Sequence, residues 1–112
     1  MSDKAEALAR AVAAHSGTDR GLELALEIGL TIDEYASARL LQTRVMKDLD
    51  WNNCRSPHGL MVDCIYLVAK RGGYDVSAVK VRNKTMTIFG VGTQPRPSAW
   101  QHAFTDLIEE LL

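Results

Sequence analysis

The sequence predicts a mainly helical α+β domain: about four N-terminal helices, a two-stranded antiparallel hairpin over about 76–89, and a C-terminal helix over about 98–112. Three observations carry that prediction. Apolar residues recur at helical spacing through the first seventy positions, punctuated by Ser, Thr and Gly where caps belong. Leu60 to Ala69 is apolar on nearly every side, the mark of a helix buried at the centre of its domain. From Val79 to Ile88, two runs of alternating character flank Asn83-Lys84, as the strands of a hairpin would.

Residues 2–16 read as a first helix, with Ser2 as N-cap, Ala5, Leu8, Ala9 and Val12 on one stripe, and Gly17 as its end. Thr18 caps a second helix reaching about Ile28, and Gly29 stops it. Thr31 and Glu34 have the spacing of a capping box, in which each side chain satisfies the other's free backbone N–H. The third helix then runs to about Leu49, with Ala38, Leu41, Val45 and Leu49 inward. Asp50–Gly59 is a loop containing Trp51, Cys54 and His58. Ser56-Pro57 begins the central helix, and Lys70-Arg71-Gly72-Gly73 ends it with positive charge where the helix dipole favours it.

With Asn83-Lys84 at the turn, one side of the hairpin collects Val79, Val81, Met86 and Ile88, and the other Lys80, Arg82, Thr85 and Thr87. Gly90 to Pro97 is a connector. Ser98 caps the closing helix, with Trp100, Phe104, Leu107, Ile108 and Leu111 on its stripe.

At 112 residues, 46% hydrophobic and 24% charged, the chain has the composition of one ordinary globular domain. It has no run of apolar residues long enough for a membrane span and no apolar leader, and with only two cysteines a cytoplasmic location is expected. Charge is unevenly placed. Residues 1–50 carry six Lys/Arg and nine Asp/Glu, whereas residues 51–103 carry seven Lys/Arg against Asp63 and Asp75 alone. The basic middle therefore suggests a surface of Lys80, Arg82 and Lys84, joined by Lys70, Arg71 and Arg96, for nucleic acid, a nucleoprotein complex or an acidic protein partner.

Residues 21–40 resemble a helix-turn-helix, with Ala25 four residues before Gly29 and Leu24, Ile28, Leu30, Tyr35 and Ala38 at the buried positions. The resemblance would turn Thr31, Ile32, Asp33, Ala36 and Ser37 toward a groove. Asp33 and Glu34 would then meet phosphates, so the segment reads instead as two packed helices. Arg55-Ser56-Pro57 followed by Ile65-Tyr66-Leu67-Val68-Ala69-Lys70-Arg71 is similar to a helix in the cyclin-fold repeats of basal transcription initiation factors. That similarity covers under a fifth of the chain, and the family continues with helices where a hairpin is expected here, so the segment reads as a generic buried helix.

Asp63-Cys64 is similar to the nucleophile region of papain-type cell-wall peptidases, but Ile65-Tyr66 replaces that family's Ser-Gly and its histidine strands are missing. Cys54, His58 and Cys64 have C-x3-H-x5-C spacing, without the second close ligand pair of a structural zinc site. The expectation is a protein without catalytic residues, cofactor or metal. It would act by binding nucleic acid or a nucleoprotein complex through the basic hairpin face. The alternative is an inhibitor or adaptor that uses charged surfaces on proteins, and a chain this small has the option of a symmetric homodimer.

Overall fold

The structure is a computed structural model that describes residues 19–48 and 56–112. The expected first helix over 2–16, and Leu49, Trp51 and Cys54, lie outside the described residues. Five α-helices are described: α1 (Arg20–Ile28), α2 (Ile32–Asp48), α3 (Pro57–Arg71), α4 (Ala78–Phe89) and α5 (Thr105–Leu111). Two 3₁₀ turns, Pro97–Ala99 and Gln101–Phe104, precede the last helix.

The caps explain where the helices begin. Asp19 accepts a hydrogen bond from the Leu22 backbone N–H at 3.0 Å and starts α1. The Thr31–Glu34 box is formed as expected: the Thr31 N–H donates to Glu34 Oε1 at 2.8 Å, and the Glu34 N–H donates to Thr31 Oγ1 at 3.1 Å. Ser56 caps α3 by accepting from the Gly59 N–H, with Pro57 in the first turn.

Helix α3 is the centre. Every residue from Gly59 to Ile65 is buried, as are Val68 and Ala69. Its most extensive partner is α2, whose Tyr35, Ala38, Leu41 and Val45 are buried. Helix α1 contacts both α2 and α3, and α4 packs on α1. Gly21 lets α1 approach α2 and α3 closely, since a Cβ there would lie 2.6 Å from Met61 Sδ and 2.8 Å from the Tyr35 hydroxyl.

The expected hairpin over 76–89 is not present. Residues 78–89 form helix α4, and no strand occurs among the described residues. Five β-branched residues, Val79, Val81, Thr85, Thr87 and Ile88, favour a strand locally. Three features override them. Ser77 accepts from the Lys80 N–H at 3.1 Å, Gly90 ends the helix in the left-handed conformation at φ 78°, and the buried residues Val81, Thr85 and Ile88 have helical spacing.

The expected C-terminal helix over 98–112 is also shorter than the apolar stripe suggested. Trp100 has φ −140°, ψ −17°, outside helical values, and sends its indole into the core. The chain therefore passes through two 3₁₀ turns before α5 begins at Thr105.

Asp63, fully buried in α3, is what holds this last segment. Its Oδ1 accepts from the Arg96 N–H at 2.8 Å and its Oδ2 from Trp100 Nε1 at 2.8 Å. Removing the carboxylate leaves two donors unpaired, so Asp63→Ala is expected to destabilise the protein by about 3 kcal/mol, read as a lower denaturant midpoint. Ser77→Ala should cost about 1 kcal/mol by removing the cap of α4, and no such loss follows if 76–89 is a hairpin.

Candidate functional site

The helical geometry of α4 separates the basic residues that a strand would have aligned. Two positions along a helix differ by about 200° around the axis, so Lys80 and Arg82 lie on opposite flanks, while Lys80 and Lys84 share one. Lys84 Nζ lies 3.6 Å from Glu27 of α1, and Glu23, Glu27, Lys80 and Lys84 line one groove between α1 and α4. The α1–α4 contact is extended by Arg20, whose Nη1 donates to the Ile88 carbonyl at 3.2 Å.

The other basic residues are dispersed. Arg71 pairs with Glu109 of α5 at 2.6 Å. Lys70 Nζ lies 6.0 Å from the centre of the Tyr66 ring and 3.5 Å from the Val76 carbonyl. Arg96 sits in the connector, where its backbone is held by Asp63. The six residues do not form one basic face.

What α4 does present outward is a stripe that the strand reading concealed. Val79, Asn83 and Met86 follow one another at helical spacing, and Val79 is 58% and Met86 55% exposed. Val91 in the connector is 60% exposed, and its neighbour Gly92 lies against Met86 and Arg82. Lys80 flanks the stripe on one side and Arg82 on the other. A helical rather than alternating period through 79–91 was the available signal.

The connector beside this stripe is fixed by side chains from two helices. Thr85, buried in α4, donates through Oγ1 to the Arg82 carbonyl at 2.6 Å and accepts from the Thr93 N–H at 2.7 Å. His58 Nε2 is 3.0 Å from Thr93 Oγ1, and its ring meets Phe89 edge-on with centroids 4.7 Å apart. His58 thus braces the connector from the first turn of α3.

No known protein family matches this chain, and neither does any characterised protein or solved structure.

The helix-turn-helix-like segment does consist of two packed helices, α1 and α2, joined at Gly29. The Tyr74 ring lies against Gly29 and Gly72, and its hydroxyl donates to Glu34 Oε1 at 2.5 Å. Burial pushes the Glu34 carboxyl up, but hydrogen bonds from Tyr74 and Thr31 outweigh it and hold the group below its usual 4.5. Tyr35 is raised by burial and by donating to Asp19 Oδ1 at 2.7 Å.

Cys64 is fully buried, and burial followed by the charge of Asp63 pushes its thiol well above the ordinary range. It offers no accessible thiolate. No group of three or more His, Cys, Asp or Glu able to hold a metal occurs among the described residues, and Cys54 falls outside them.

The capping box gives a pH dependence of definite sign. Because the folded Glu34 pKa is depressed, its stabilisation is fully present above the ordinary value of 4.5 and is lost as pH falls through the folded one. Urea midpoints measured from pH 7 down to pH 3 should therefore fall less steeply in Glu34→Gln than in the wild type. Tyr74→Phe should recover part of that flattening, and parallel curves for all three proteins would contradict it.

Proposed function

We propose that this chain is a non-catalytic adaptor or inhibitor that acts by contact with protein, without direct nucleic-acid contact. The observation that carries this reading is the helical form of α4, which parts Lys80 from Arg82 and leaves Val79 and Met86 exposed.

Protein contact is favoured over direct nucleic-acid contact by the arrangement of charge. Lys84 and Arg71 are opposed to Glu27 and Glu109, and Arg82 and Lys80 diverge around α4. Phosphate binding draws its affinity from several cations facing one backbone, and this geometry supplies few. The exposed Val79 and Met86 of α4 instead suit a protein surface.

Affinity purification from the native host, with and without nuclease, tests the reading. One dominant protein partner should be recovered in both preparations. Its loss on nuclease treatment would mean that nucleic acid was the tether and would overturn the reading.

A further inference from the structure

Helix α5 is weakly secured by its own sequence. It has seven residues, no side chain caps its first turn, and Phe104 before it lies outside helical values at φ −126°, ψ 25°. An isolated helix shorter than about twelve residues is marginal in water, so α5 persists by docking rather than by propensity. Ile108 is its one buried residue, while Leu107, Leu111 and Leu112 are partly buried against the core.

The docking is undercut at two places. An open groove of about 410 Å³ lies between the end of α2 and the start of α5, with Arg44, Asp48, His102, Asp106 and Glu110 along it. A second, of about 160 Å³, lies where Leu111 and Leu112 meet Ser37 of α2 and Val68 of α3. Apolar atoms beside open space lack the contacts that close packing supplies. Charge adds little grip. Asp106 and Glu110 share the larger groove with Asp48, and Glu109, paired with Arg71, is the one acid of α5 in an ion pair among the described residues. Both members of that pair are exposed, so it contributes weakly.

The chain just before α5 is fixed by contrast. Trp100 is 3% exposed, and its indole is held by Asp63. Between this anchor and α5 stands the 3₁₀ turn Gln101–Phe104, in which no residue is buried. We infer that α5 is a releasable lid on the seam between α2 and α3, which opens as one unit about the Gln101–Phe104 turn while the Asp63–Trp100 clasp stays closed. Release uncovers Val68 and frees Leu107, Ile108, Leu111 and Leu112 together with Asp106, Glu109 and Glu110. The protein then has two states that differ in exposed apolar surface, and the structure is the closed one. The inference stands apart from the adaptor or inhibitor reading, since the opening needs no partner.

Amide hydrogen exchange of the isotope-labelled full chain, followed by NMR, is the test. The backbone donors from Glu109 to Leu112 bond four residues back, as the Leu112 N–H does to the Ile108 carbonyl at 2.9 Å. These amides should share one protection factor, at least about a hundredfold below that of the central α3 amides and the Trp100 indole. Arg71→Gln should lower it for all of them by the same factor, about two- to fivefold. Ile108→Glu should hold the lid open, moving residues 105–112 to coil chemical shifts while α3 and the Trp100 indole keep theirs. Protection equal to that of α3, or protection that falls stepwise toward Leu112 as in simple fraying, would overturn the inference. So would an Ile108→Glu spectrum that loses dispersion throughout, or one in which 105–112 stay helical.

Discussion

A carboxylate placed in the middle of a helix whose neighbours on every side are buried cannot be solvated, and Asp63 is in that position. An ion so placed must be met by hydrogen-bond donors or it destabilises the fold by several kcal/mol. Here the donors come from far along the chain, from the backbone of Arg96 and the indole of Trp100. Their arrival holds the Pro97–Ala99 turn against α3. Trp100, which turns its indole to Asp63, leaves helical geometry there.

The consequences reach the surface. With Arg96 anchored, the connector from Gly90 runs beside α4, where Thr85 and His58 hold Thr93. That places Gly92 against Arg82 and Met86. The outward face of α4 is thus assembled from a helix and a strap whose position depends on a buried charge on another helix. Surface ion pairs such as Lys84–Glu27 contribute little, about 0–1 kcal/mol, and their effect here is to neutralise rather than to stabilise.

Much of the helical framework was legible because it is written in local chemistry. The Thr31–Glu34 box, Ser56-Pro57, Gly29 and the inward stripe Ala38, Leu41 and Val45 are all where their spacing put them. Residues 78–89 misled because their apolar residues satisfy two periods. Val79, Val81, Met86 and Ile88 sort cleanly in a hairpin, whereas the structure buries Val81, Thr85 and Ile88 and exposes Val79 and Met86. The deciding residue is Thr85, whose burial follows from its hydrogen bond to Thr93, a contact between a helix and a connector that periodicity does not register. The expected alignment of Lys80 with Arg82 was lost for the same reason, since a strand sets them on one face and a helix parts them. Asp63 stood out in the sequence only as an interruption of an apolar run, and its partners thirty-three and thirty-seven residues away carry no local signal.

Hydrogen exchange, resolved residue by residue, reaches the Asp63 clasp most directly. If the carboxylate pins the connector, the Arg96 amide and the Trp100 indole N–H exchange as slowly as the central amides of α3, and the Thr93 amide is protected with them. Rapid exchange at Arg96 and Trp100, alongside a protected α3, would mean that the connector is not held. The outward face of α4 would then lack the support on which this account depends.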